Sequence, residues 1–153
     1  NLGILDKPYN FLTQPFAAKI VIILALLWRW TGYNMVFFLS GLQNIEYSVY
    51  EAAKIDGASA IQTFFKITVP LLKPTILLTA IMSTNGTLQL FDESVNLTDG
   101  GPANASISMS HYIYNLCFKY VPNFGYAAAM SFFILLLVAV LAFIQMRVGD
   151  KRD

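Results

Sequence analysis

Hydroxyl and small side chains recur at helical spacing in one apolar segment of this 153-residue chain. The stripe consists of Thr79, Ser83, Gly86, Thr87 and Leu90, with Asn85 and Gln89 on an adjacent face. Residues three or four apart share one face of a helix. Such a face can donate and accept hydrogen bonds with the hydroxyls of a sugar, and it is equally suited to close packing between membrane helices.

A charged residue, Arg29, lies inside an earlier apolar segment between Trp28 and Trp30. Because a charge is costly in hydrocarbon, Arg29 should face other helices or a wet cavity. Asp92 and the adjacent Glu93 are its candidate partners, and we predict an intramembrane ion pair between Arg29 and Asp92. In the alternative, the tryptophans mark the membrane interface and the arginine extends its head group into water.

Catalytic chemistry has little support in the sequence. His111, Cys117 and Asp92 are the residues from which a hydrolase or metal site would have to be built. The chain has one histidine and one cysteine, and no GxxxxGK[ST] loop that would hold nucleotide phosphates. We therefore expect no catalytic residue, no metal and no cofactor of its own, and a protein that is not an enzyme.

The composition indicates lipid as the solvent. Hydrophobic residues make up 56% of the chain and charged residues 12%, whereas soluble domains are about one quarter charged. A soluble, fully packed helical domain is the alternative. The net charge of +1 gives no support to nucleic-acid binding.

The apolar segments predict an all-α, polytopic transmembrane bundle. They extend over about 16–39, 71–95 and 124–146, and a helix needs about 20 residues to cross hydrocarbon. A polar loop at about 44–70 joins the first two, and a second loop at about 96–123 joins the last two. The latter contains a short aromatic helix that should lie near the interface. The chain begins at Asn1 rather than Met, so we expect further membrane helices upstream.

Basic residues predict the orientation. With three spans, one side carries Lys54, Lys66, Lys73, Arg147, Lys151 and Arg152, and the other carries Lys7, Lys19 and Lys119. Cytoplasmic loops are enriched in lysine and arginine. The loop at 44–70 and the C-terminus are therefore predicted to be cytoplasmic, and the loop at 96–123 exterior.

The cytoplasmic loop contains the stretch EAAKIDGASAIQTFFKITVPLLKP, from Glu51 to Pro74. Its first part predicts a helix that ends at Asp56–Gly57, because glycine tolerates the positive φ found after helix ends. A second helix should then continue until Pro70 stops it. Two short helices joined at a glycine form a compact knob, which is suited to docking in a partner's cleft and also fits an ordinary connector.

This stretch resembles the EAA motif of permease subunits in binding-protein-dependent ABC importers. The Glu-Ala-Ala triplet, the Asp-Gly-Ala that follows and the ITVPLLKP ending all occur at the spacing of that motif. The flanks WRWTGYNMVFFLSGLQNI and FDESVNLTDGGPANAS resemble the carbohydrate-uptake branch, which includes maltose, lactose and glycerol-phosphate permeases. The resemblance extends from about Asp6 to the C-terminus, and it implies that residues 1–153 are the C-terminal portion of one permease transmembrane domain.

The resemblance implies a membrane-spanning permease subunit of an ATP-driven sugar importer in the inner membrane. Its partners would be a second permease, two ATPase subunits that bind the ATP, and an extracytoplasmic solute-binding protein that contacts the exterior loop. Residues that would contact the ATPase are Glu51, Ala52, Ala53, Asp56 and Gly57. Alternatives are a permease for a polyol or glycerol phosphate ester, or a scaffold or signalling subunit that transports nothing.

The resemblance also assigns a substrate path. Positions that line the membrane sugar site of maltose-type permeases correspond to Gly32, Met35, Ser83, Thr87 and Leu90. Met35 and Leu90 are apolar, which departs from a maltose site, so Gln89 or Asn85 would supply the missing polar contact.

Overall fold

The computed structural model describes residues 11–149, and every regular element among them is helical. A short 3₁₀ turn at Phe11–Thr13 precedes the first helix. The α-helices are α1 Pro15–Gln43, α2 Tyr47–Ile55, α3 Ala60–Thr63, α4 Val69–Leu71, α5 Lys73–Leu88, α6 Met109–Tyr114 and α7 Phe124–Gly149. Single π turns lie at Phe64–Thr68, Ser94–Thr98 and Asn115–Lys119. The predicted all-α membrane fold is confirmed.

Two helices, α1 and α7, are long and apolar enough to cross a membrane. Their 29 and 26 residues correspond to about 43 and 39 Å of helix, against a hydrocarbon core of about 30 Å. Pro15 opens α1 at the first helical position, where a missing N–H costs nothing. Asn123 caps α7 as its type predicts, because its Oδ1 accepts a hydrogen bond from the N–H of Tyr126 at 3.1 Å.

The segment predicted as a second span, 71–95, is not one straight helix. Its helix α5 has 16 residues and ends at Leu88, which gives about 24 Å. A bend of 64° separates it from the helix that precedes it, and the two together form a third spanning element if they are one broken span. Pro74 explains the bend, because its ring clashes with the carbonyl of the residue four positions earlier and because it has no N–H to donate.

Pro70 does not end the preceding helix, contrary to the prediction. It lies inside α4, and one residue, Val69, separates it from the π turn Phe64–Thr68. The N–H of Val69 closes that turn by donating to the carbonyl of Phe64 five residues back. Proline is tolerated in the first helical turn after such an interruption, because no α-helical donor is required of it there.

The chain divides into two compact units. One contains the residues up to Arg29 together with Gly86–Val138, and the other contains Trp30–Asn85 together with the residues from Ala139. Large apolar side chains remain exposed along the long helices, among them Phe16, Leu27, Val36, Phe132 and Phe143. Apolar surface of this extent is expected where lipid or other helices cover a protein. Lys7, Lys151 and Arg152, which entered the orientation prediction, lie outside the described residues.

Candidate functional site

The elbow, defined here as residues 51–63, is shaped by bonds within its own sequence. The N–H of Gly57 donates to the carbonyl of Lys54 at 3.1 Å, and the N–H of Ala58 donates to the carbonyl of Ala53 at 3.0 Å. These two bonds form a Schellman motif, with Gly57 at φ +73° in the left-handed position. The sequence prediction that a glycine ends α2 is confirmed.

The second half of the elbow begins with a capping box. Ser59 Oγ accepts a hydrogen bond from the N–H of Gln62 at 3.3 Å, and Gln62 Oε1 accepts one from the N–H of Ser59 at 2.9 Å. Both orphan donors at the start of α3 are satisfied in this way. The turn between α2 and α3 is therefore fixed by one motif at the end of the first helix and another at the start of the second.

Four of the five predicted contact residues of the elbow face solvent. Glu51, Ala52, Asp56 and Gly57 are exposed, whereas Ala53 is buried at 6% exposure. Ala53 therefore packs against its own unit, and its contact with the ATPase stays a prediction. An alanine at this position allows the close approach that seats α2.

Two isoleucines were missed by the sequence interpretation of the elbow. Ile55 is 86% exposed and Ile61 is 73% exposed, on a segment that also carries the exposed Glu51, Lys54 and Asp56. Apolar side chains surrounded by charges are typical of protein contact surfaces. The sequence did contain a signal for Ile55, because it lies between a lysine and an aspartate. A residue with charged neighbours on both sides does not belong to a lipid-facing stripe.

The predicted path residues are distributed over both units. Gly32, Met35 and Ser83 belong to one unit, while Thr87, Gln89 and Leu90 belong to the other. Gly32 and Met35 are exposed on α1, and a Cβ at Gly32 would meet nothing within 4 Å. Thr87 and Gln89 are exposed and Leu90 is half-buried. Thr79, at the start of the stripe, is buried and its hydroxyl bonds the carbonyls of Thr75 and Ile76.

Polar pairs connect the long helices within the second unit. The amide of Asn34 lies against the hydroxyl of Ser83, with Nδ2 at 3.1 Å and Oδ1 at 3.2 Å. Gln145 Nε2 donates to Thr84 Oγ1 at 2.8 Å. The sequence interpretation named Ser83 but not Asn34, Thr84 or Gln145, because their pairing depends on which helix faces meet.

Arg29 forms an ion pair with Glu93, the neighbour of the predicted Asp92. Its Nη1 lies 2.9 Å from Glu93 Oε1, and both residues belong to the same unit. The Glu93 side chain is 11% exposed, and its Oε2 is buried without a hydrogen-bond partner among the described residues. The predicted pair of Arg29 with Asp92 is therefore corrected to a pair with Glu93, the carboxylate one residue further along the chain.

A buried polar cluster organises the loop predicted to be exterior. Ser94 and His111 are both fully buried, and Ser94 Oγ lies 2.8 Å from His111 Nδ1. The same hydroxyl donates to the carbonyl of Ser106 at 2.7 Å. Since a serine has one proton, His111 must donate to it from Nδ1.

This cluster resembles a Ser-His-Asp triad without its chemistry. His111 Nε2 lies 3.7 Å from Asp99 Oδ1, and Lys119 Nζ holds the same carboxylate oxygen at 2.6 Å. A nucleophilic serine must give its proton to the histidine, whereas Ser94 gives it to a backbone carbonyl and no substrate can reach it.

Burial, opposed by Asp99, lowers the pKa of His111 below its ordinary value. The hydrogen bond from Lys119 lowers the pKa of Asp99. Among the described residues, no three histidine, cysteine or acidic side chains gather as metal ligands.

The long apolar helices α1 and α7, and the polar pairs that join each of them to α5, are features of an integral membrane protein. The chain belongs to the family described as "Binding-protein-dependent transport system inner membrane component", whose model matches residues 5–152. The predicted family membership is confirmed.

One relative and two solved structures illustrate the similarity. The lactose transport system permease protein LacF of Rhizobium radiobacter is 55% identical over 153 residues, covering 99% of this chain and 51% of the relative. A bacterial ABC transporter involved in the import of the acidic polysaccharide alginate has a TM-score of 0.80 at 24% identity, covering 96% of this chain and 51% of that one.

The bacterial alginate ABC transporter in complex with its alginate pentasaccharide-bound periplasmic protein has a TM-score of 0.68 at 26% identity, covering 96% and 49%. The chain therefore spans about half the length of the proteins it resembles.

Proposed function

We propose that this chain is part of the permease subunit of an ATP-driven sugar importer and lines part of its translocation path. The support is family membership, together with 55% identity to a lactose permease. A second permease, two ATPase subunits and an extracytoplasmic solute-binding protein complete the proposed assembly. The alginate transporter that is complexed with a periplasmic protein supports the last of these partners.

The elbow is the proposed contact with the ATPase, on the cytoplasmic side. One observation carries this assignment: a locally fixed turn exposes Ile55 at 86% beside the charged Glu51 and Asp56. Closure of the ATPase pair would push on this rigid elbow, and the push would move the membrane helices that follow it. ATP itself is bound by the partner, so the chain needs no cofactor.

Substitution of Gly57 tests the proposal. A Cβ at Gly57 would meet nothing within 4 Å, so only its φ of +73° opposes a side chain. A β-branched residue is strained there by about 1–2 kcal/mol, whereas asparagine tolerates this region. In the intact transporter reconstituted in proteoliposomes, Gly57→Val should abolish sugar-stimulated ATP hydrolysis and uptake, and Gly57→Asn should lose far less.

The probe is radiolabelled lactose, followed by a panel of disaccharides and polyols. Membrane content of each variant, measured by immunoblot, separates coupling from insertion. Uptake that survives Gly57→Val at normal levels would refute the role of the elbow. Uptake that needs no ATP, or no uptake of any tested solute, would refute the importer assignment.

A further inference from the structure

A hydrogen bond connects α2 to the start of the broken membrane segment. The hydroxyl of Tyr50 lies 3.2 Å from Thr68 Oγ1, although the two residues are 18 positions apart. Tyr50 is located on α2, one residue before the elbow, and Thr68 is the last residue of the π turn that leads into α4. Thr68 is 7% exposed, and its hydroxyl also donates to the carbonyl of Thr63 at 3.4 Å.

An open space lies between α2 and this segment. A cavity of about 470 Å³ separates them, and its walls include Glu51, Lys54 and Phe64 as well as the two bonded residues. Ala53 is the one buried residue of α2. The bond between Tyr50 and Thr68 spans this space, where it opposes tilting of α2 into the cavity.

Thr68 also leads directly to the bend. Its carbonyl accepts a hydrogen bond from the N–H of Leu72 at 2.9 Å. Leu72 is the residue at which the 64° bend separates the preceding helix from α5. Two hydrogen bonds, joined by the covalent bonds of Thr68, therefore connect the Tyr50 hydroxyl to Leu72 at the bend of the membrane segment.

We propose that the hydrogen bond between Tyr50 and Thr68 is the tie that transmits displacement of the elbow to the bend at Leu72. Tyr50 is then a positioning residue for transport, and it acts through Thr68 rather than by touching the sugar. This inference rests on the proposed contact of the elbow with an ATPase. Without the tie, a push on the elbow would tilt α2 into the cavity, and ATP would be hydrolysed with less transport.

The first test is Tyr50→Phe in the intact transporter, with Tyr47→Phe as the matched control. Tyr47 lies on the same helix and lines the same cavity, and its hydroxyl has no hydrogen bond to a residue that the structure describes. We expect Tyr50→Phe to lower lactose uptake per ATP hydrolysed by about fivefold, the factor that corresponds to one hydrogen bond of about 1 kcal/mol. Tyr47→Phe should leave this ratio unchanged.

Substitutions at Thr68 identify the partner. Thr68→Val removes the hydroxyl at constant shape and should reproduce the loss, whereas Thr68→Ser keeps the hydroxyl and should retain the coupling. In the Thr68→Val background, Tyr50→Phe should add no further loss. The ratio of uptake to hydrolysis is independent of protein amount, so a simple folding defect would lower both quantities and leave the ratio unchanged.

The outcomes separate this inference from the proposed function. Normal coupling in Tyr50→Phe, or a full second loss in the double variant, would overturn the tie while leaving the importer assignment intact. If neither the unsubstituted transporter nor Tyr47→Phe takes up lactose or any other tested sugar, the proposed function is refuted, and the tie with it.

Discussion

Ile55 should be the main apolar contribution of the elbow to partner binding. Its side chain is 86% exposed in this chain, and Ile55→Ala removes three carbon groups, each worth about 0.8 kcal/mol on burial. If a partner covers the exposed part, the loss is about 2 kcal/mol, which weakens the ATPase–permease Kd about 30-fold.

Titration of labelled ATPase subunit onto the detergent-solubilised permease measures this loss. Ile23→Ala on α1 is the matched control, since Ile23 is also exposed, at 53%, but lies on a membrane-length helix. A volume-conserving Ile55→Leu should lose less than threefold. An unchanged Kd for Ile55→Ala, or equal losses for Ile55→Ala and Ile23→Ala, would refute the assignment of the elbow as the contact surface.

Three further predictions concern stability and the membrane pairs. Because burial lowers the pKa of His111 below its unfolded value of 6.5, the unfolded chain binds more protons, so thermal stability in detergent should fall as the pH drops below about 6.5; a curve for His111→Gln that keeps the same slope would contradict this. Ser59→Ala removes the capping box with Gln62 and should destabilise α3 by about 1 kcal/mol, measured by hydrogen exchange of the elbow amides; unchanged exchange would count against it. Ser83→Ala leaves the Asn34 amide without its partner at 3.1 Å and should lower the thermal midpoint of unfolding. Replacement of both residues by apolar ones should restore part of the loss. Equal midpoints for all three proteins would show that the pair does not contribute.

Local signals predicted the elbow well. Gly57 acts through neighbours within a few positions, so residue type and spacing were sufficient to place the end of α2. The Ser59–Gln62 capping box is equally local, but it was not among the predictions. Long-range features were not accessible in the same way. Whether Arg29 contacts Asp92 or Glu93 depends on which of these neighbouring side chains the backbone turns toward Arg29, and spacing does not fix that direction. The π turn Ser94–Thr98 begins directly after Glu93.

The errors in the second membrane segment concern the residue at which its helix breaks. A proline is usually a stop signal, but Pro70 follows a π turn whose bonding no longer requires its N–H. The effective break is at Leu72, before Pro74. His111, in the loop at about 96–123, entered the sequence interpretation only as a member of a catalytic set with little support, although it is fully buried against Ser94. Its burial is produced by the folding of the whole loop and leaves no mark in the spacing of nearby residues.

The turn of the elbow is shaped by bonds among residues 53–62, and this has a consequence for how such proteins can be recombined. A segment whose shape is encoded locally is a portable module, and it should keep that shape when grafted into another permease. The grafted elbow would transmit its displacement to the membrane helices only if the exchanged piece also includes Tyr50 and Thr68, because those residues join the elbow to the bend. The natural crossover points for chimeric transporters therefore lie before α2 and after the π turn, and not at the boundaries of the EAA triplet.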